Sequence, residues 1–143
     1  MVGGQAADLE AEHTGVGSVQ QLESIHRRKT ACLLACSVRL GARIAGANAE
    51  TLDALGGYGE SVGLAFQIAD DVLDLQGEEG KMGKGVRKDA DRGKLTYPAL
   101  WGVPESRRKA QQLIQQACAA LKPLGGRGRR LEELAHFILE RDH

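Results

Sequence analysis

Phe66-Gln67-Ile68-Ala69-Asp70-Asp71-Val72-Leu73-Asp74 sets three aspartates into an otherwise apolar run. The polar positions Glu60, Gly63, Gln67, Asp70, Asp71 and Asp74 recur every three or four residues, which aligns them along one stripe of an α-helix. Val62, Leu64, Ala65, Phe66, Ile68, Ala69, Val72 and Leu73 cover the remaining circumference with hydrocarbon, the pattern of a buried helix. Three carboxylates on such a helix repel one another and require a cationic counterpart or protonation. Hard oxygen donors at i and i+4 suit Mg²⁺, which takes one or two carboxylates together with substrate phosphates. A solvated polar face is the rival reading, but little of this helix is left for solvent. The stripe therefore predicts a cation site at Asp70, Asp71 and Asp74.

Working outward, the spacing predicts this helix from about Glu50 to Gln76, with Gly56-Gly57 as a point where it kinks. Before it, Ser18 caps a helix from Val19 to Ala45 whose core stripe is Leu22, Ile25, Cys32, Leu33, Cys36, Leu40 and Ile44. Residues 1–12 read as the end of another helix, cut short at its N-terminus, and His13 to Gly17 as a turn. Gly77 to Lys94 reads as a charged, glycine-punctuated loop. Pro104 opens an amphipathic helix with Leu113, Ile114, Ala117 and Leu121 inward. Gly125 to Gly128 separates it from a last helix with Leu131, Leu134, Ala135 and Ile138 on one face; Trp101 and Phe137 read as core. No alternating strand pattern or internal repeat stands out, so the fold class is all-α.

Composition narrows the function. Basic and acidic residues number 19 each, and a net charge of zero supplies no attraction to nucleic acid or an acidic membrane. One tryptophan, two tyrosines and two phenylalanines are too few for a base-stacking platform. No stretch approaches the ~18 apolar residues of a membrane span, and no secretory signal is evident. Three cysteines, Cys32, Cys36 and Cys118, do not form a disulfide framework and read as small buried hydrophobes. A reducing compartment fits them: the cytoplasm, or a plastid where a transit peptide has been removed. Lys29 lies on the core stripe about three turns inside its helix. There its ammonium is costly unless it meets an anion, and the rival, snorkelling to the surface, is less comfortable so far from the helix end.

These residues carry a resemblance. Phe66-Gln67 through Asp70-Asp71 to Asp74 resembles the second aspartate-rich motif, F-Q-x-x-D-D-x-x-D, of the trans-isoprenyl diphosphate synthases. Gly3-Gly4-Gln5-Ala6-Ala7-Asp8-Leu9 is similar to their G-G-Q-x-x-D-L segment, and His26-Arg27-Arg28-Lys29-Thr30 to their H-x-x-K-T. Gly83-Lys84 through Asp89 to Gly93-Lys94-Leu95-Thr96-Tyr97-Pro98 resembles their G-K…D…G-K-x-T-Y-P loop, with Arg87 where glycine is common. The four motifs stand in family order, and the likeness is to the short-chain bacterial and plastid type.

The resemblance implies the C-terminal half of an isoprenoid-synthase-type helical bundle, with all of 1–143 a partial domain lacking the first aspartate-rich motif. It implies a prenyltransferase that condenses an allylic diphosphate with isopentenyl diphosphate by Mg²⁺-assisted departure of diphosphate. Lys29, Lys84 and Lys94 are then the catalytic lysines. Lys29, Thr30, Gln67, Lys84 and Lys94 contact substrate, and Asp70, Asp71 and Asp74 hold metal. Asp8 is implied to pair with Lys29. By itself the chain is expected to be inactive and to associate with a second copy or a complementary synthase half. The alternative is a non-catalytic remnant or regulatory subunit that packs on a full-length synthase.

Overall fold

The structure, a computed structural model, describes residues 1–14, 18–81 and 95–140. Among these residues every regular element is helical. They are α1 (Val2–Thr14), α2 (Val19–His26), a π turn (Arg27–Ala31), α3 (Cys32–Ile44), α4 (Ala49–Lys81), α5 (Tyr97–Trp101), α6 (Val103–Ala120), a 3₁₀ segment (Lys122–Gly128) and α7 (Arg129–Glu140). No helix of the described residues is long and apolar enough to cross a membrane.

The helix boundaries follow local chemistry. Ser18 holds an extended backbone, and its hydroxyl accepts a hydrogen bond from the Gln21 amide at 3.2 Å, the N-cap predicted for α2. Ser18→Ala is expected to cost about 1 kcal/mol in a denaturant titration, the usual value of such a cap. A cost indistinguishable from zero would mean that packing alone sets this boundary. Asn48 caps α4 in the same way, accepting from the Thr51 amide at 2.9 Å. Gly46, at φ 76°, ends α3 in the left-handed conformation. Thr96 opens α5, and Pro104 sits in the first turn of α6 as expected.

The long α4 is the axis of the bundle. It packs against α3 and the π turn on one side and α6 on the other, with α5 and α7 also against it. Leu55, Tyr58, Val62, Leu64, Ala65 and Ile68 of α4 meet Leu113, Ile114, Ala117 and Leu121 in one apolar core. The inward set anticipated for α6 is the observed one.

Four local expectations are corrected. First, α4 runs through Gly56-Gly57 as one helix and continues past Gln76 through Gly77 to Lys81. A helical glycine costs only about 1 kcal/mol, which packing along so long a helix outweighs. Second, the stripe on the preceding helix slips. Leu22 and Ile25 are buried, but Cys32, Leu33, Cys36, Leu40 and Ile44 are exposed, while Ala31 and Ala35 turn inward. The π turn between the two halves closes on i→i+5 bonds, so an extra residue rotates everything after it. Cys32 and Cys36 are thus not core. Third, Leu134 and Phe137 are exposed, because they flank an open cleft rather than the interior. Fourth, the glycine-rich separator Gly125 to Gly128 forms the second half of a 3₁₀ segment, Lys122–Gly128.

Helix backbones touch where glycine removes the side chain. A Cβ on Gly59 would stand 2.5 Å from the Ala35 Cα, and one on Gly63 would overlap the backbone of Ala31. On the other side of the π turn, a Cβ on Gly4 would overlap the backbone of Lys29. The π turn is therefore gripped between α1 and α4 at van der Waals distance.

Candidate active site

Lys29 and Thr30 sit within the π turn, and the grip of Gly4 brings α1 over them. Lys29 Nζ lies 2.5 Å from Asp8 Oδ2, so the implied pair between the two segments is present. Asp8 is 6 % exposed, whereas the Lys29 side chain keeps 30 % of its surface open. The lysine meets its buried partner and still reaches the surface of a cleft of about 400 Å³. Thr30 shares that wall, and Leu34, Val62, Phe66, Phe137 and Ile138 supply hydrocarbon. The surface the cleft exposes is almost wholly apolar, with Lys29 and Thr30 the polar residues among those that line it.

The three aspartates of α4 differ in environment. Asp70 is half-buried, Asp74 is exposed and Asp71 is buried. Asp71 Oδ2 accepts the Tyr97 backbone N–H at 3.2 Å and lies 4.0 Å from His26 Nε2. Gln67, one turn before Asp70, is half-buried on the same stripe, and Phe66 beside it lines the cleft. No group of three or more His, Cys, Asp or Glu side chains among the described residues is placed to cage a metal. A donor set of one or two hard carboxylates, Asp70 and Asp74, nonetheless fits Mg²⁺, which fills its remaining positions with water and phosphate oxygen. Lys84 and Lys94 lie outside the described residues.

In the sequence His26 and Tyr97 stand out only as members of the H-x-x-K-T and G-K-x-T-Y-P segments, and Tyr58 does not stand out. Tyr97 proves to be fully buried, with its ring 5.5 Å from that of His26 and 5.2 Å from that of Trp101. Burial first, and then the Glu23 carboxylate, push the Tyr97 phenol well above its ordinary value. Tyr58 is also buried; its hydroxyl donates to the Leu131 carbonyl at 2.8 Å, and burial pushes its pKa up to about 12. The T-Y-P triplet was the only sequence signal pointing to Tyr97.

Comparison with known proteins bears on the family and the helical fold. Residues 1–123 match the profile of the polyprenyl synthetase family. Over 99 % of its length the chain is 45 % identical to the farnesyl diphosphate synthase of Escherichia coli K12, covering 48 % of that protein. It is 38 % identical over its full length to the geranylgeranyl diphosphate synthase of Cyanophora paradoxa, again covering 48 % of the relative. Among solved structures, an FPP/GFPP synthase from Zymomonas mobilis superposes with a TM-score of 0.81 at 34 % identity, over 96 % of this chain and 45 % of that one. A putative farnesyl-diphosphate synthase from Marinomonas sp. MED121 gives 0.80 at 34 % identity, over 97 % and 46 %. The chain spans about half the length of the curated relatives it matches. With an all-α bundle, an aspartate-bearing central helix and a lysine-threonine turn at an apolar cleft, the chain belongs to the polyprenyl synthetase family.

Proposed function

We propose that this chain is the diphosphate-ionising half of a trans-prenyltransferase, which joins an allylic diphosphate to isopentenyl diphosphate. The observation that carries the reading is the apolar cleft of about 400 Å³ that counts the Asp8-paired Lys29 and Thr30 among its lining residues. Such a site suits an amphiphile with an anionic head and a prenyl tail. Asp70, joined by Asp74, would hold Mg²⁺ beside it. When bound, that ion supplies Lewis-acid neutralisation of the departing diphosphate.

The residues of the chain divide the remaining work. Lys29, fixed by Asp8, presents a positive charge to the leaving diphosphate, where a preorganised charge counts most in a site sheltered from water. Thr30 can donate its hydroxyl to a phosphate oxygen, and Gln67 can orient the head group. Lys84 and Lys94 act on the same diphosphate in this reading. Phe66 and Val62 give hydrocarbon surroundings to the allylic cation formed when the C–O bond breaks. The isopentenyl double bond then supplies the electron pair for the new C–C bond, and diphosphate takes the proton that is lost. Positioning two reactants is worth about 7–11 kcal/mol of barrier, and one aspartate cluster does not provide it. In this reading turnover also draws on a first aspartate-rich cluster, whether it lies on the same polypeptide or on a partner.

A second reading is a non-catalytic subunit packed on a complete synthase. Its support is the large apolar side chains left open on α1 and α3, namely Val2, Leu9, Leu33, Leu40 and Ile44. Calorimetric melting with Mg²⁺ and inorganic diphosphate decides between them. A native-state ligand raises the melting temperature by mass action, by about 2.7 kcal/mol of stability at a hundredfold excess over Kd. The catalytic reading expects a rise that Asp70→Ala abolishes. A rise unchanged in Asp70→Ala removes Asp70 from the site, and the absence of any rise favours the subunit reading.

A further inference from the structure

The aspartate triplet looks uniform in sequence and is not uniform in space. On a helix of 3.6 residues per turn, Asp74 lies only ~40° round from Asp70, whereas Asp71 lies ~100° away. That rotation carries Asp71 from the half-exposed side of α4 into the interior, where it is 8 % exposed. There it faces two other elements. Its Oδ2 accepts the N–H of Tyr97, the first residue of α5, at 3.2 Å. His26 of α2, itself buried, stands 4.0 Å from the same oxygen, beyond hydrogen-bond reach. The Tyr97 ring is wedged between His26 and Trp101.

The first amides of a helix have no partner within it, and an unpaired amide in the interior costs about 1–3 kcal/mol. Thr96 Oγ1 serves the Ala99 amide at 3.3 Å, and Asp71 serves that of Tyr97. A charged acceptor makes this among the stronger hydrogen bonds a backbone amide can form. Each end of the connection is thereby tied to the aspartate helix: α4 leads out of it, and Leu95-Thr96-Tyr97 returns to the flank of that helix.

We propose that Asp71 is a positioning residue and not a cation ligand: its carboxylate anchors the Tyr97 amide to α4 and sets where the chain rejoins the fold beside Asp70. The anchor stands on the hydrogen bond and burial alone. The division of labour between Asp71 and Asp70 rests on the cation site proposed above.

The test compares Asp70→Asn, Asp71→Asn and Asp71→Ala in the whole chain, with Asp71→Ser in place of alanine if that variant does not fold. Asparagine keeps an oxygen able to accept from Tyr97, whereas alanine and serine do not reach it. Without ligand, amide exchange at Tyr97 is expected to accelerate roughly tenfold or more in Asp71→Ala or Asp71→Ser. It should stay at the parent rate in Asp71→Asn and Asp70→Asn. With Mg²⁺ and inorganic diphosphate, the rise in melting temperature should survive in Asp71→Asn and vanish in Asp70→Asn. Unchanged exchange at Tyr97 on truncation of Asp71 overturns the anchor. Loss of the rise in Asp71→Asn, to the extent seen in Asp70→Asn, makes Asp71 a ligand and also overturns the proposal. If the parent shows no rise, the cation reading alone fails, and exchange at Tyr97 still decides whether Asp71 is the anchor.

Discussion

Gly63→Val is expected to destabilise the chain by about 3 kcal/mol or more, read as a lower midpoint in a urea titration at unchanged slope. A side chain here would overlap the Ala31 main chain and its Cβ. Neither is the far end of a flexible side chain that can swing aside. The clash is relieved only if the π turn, and α3 that continues from it, withdraw from α4, which opens space along Ala31 and Ala35 and loses contacts on both sides. Overpacking alone costs 1–3 kcal/mol, and a gap elsewhere adds to it. Gly63→Ala gives a smaller loss, because the helix propensity gained by replacing glycine, about 1 kcal/mol, offsets part of the clash. Gly77→Ala is the control. Nothing among the described residues lies within 4 Å of its Cβ position, so the same propensity gain should appear uncompensated as slight stabilisation. Equal effects of Gly63→Val and Gly77→Ala would refute the close contact of α3 and α4.

Lys29→Ala is expected to cost about 2–3 kcal/mol of stability, with loss of the Mg²⁺-diphosphate response. Removing one member of a buried ion pair typically costs 3–5 kcal/mol, since the other charge remains in the interior. Asp8 is the buried member here and Lys29 the partly open one, which places the expectation below that range. Asp8→Ala combined with Lys29→Ala should recover a large part of the loss, because no charge is then left stranded. The double-mutant cycle isolates the coupling. The two roles of Lys29 are separable: the double variant regains stability but not diphosphate binding. Full recovery of binding along with stability would confine Lys29 to a structural role. A double variant no more stable than Lys29→Ala would mean the pair contributes nothing.

Much of the architecture was legible because it depends on neighbours in sequence. The Ser18 cap, Pro104 at the start of α6 and the inward face of Leu113, Ile114, Ala117 and Leu121 involve residues within a few positions of one another. The aspartate helix and the Lys29-Thr30 segment were legible too, since carboxylates and an ammonium on apolar helices demand a chemical explanation. The exposure of Cys32, Leu33, Cys36, Leu40 and Ile44 was not. Periodicity carries the phase of a helix forward only while every turn holds the same number of residues, and the π turn at Arg27–Ala31 breaks that condition.

By itself, then, the sequence determined the helical class and the family, and it singled out the lysines and aspartates to which the proposed diphosphate and cation roles are given. Tertiary structure decided how those residues divide. Asp70 and Asp71 are adjacent in sequence and chemically identical. Only the arrival of Tyr97, 26 residues on, places one of them under a backbone amide and leaves the other beside the stripe that faces the cleft. The phase of Lys29 against Asp8 is of the same kind, set by the approach of Gly4 to a backbone 25 residues away. Contacts between segments so distant in sequence depend on how whole helices pack, and the residues at each end carry no local mark of the partner they will meet.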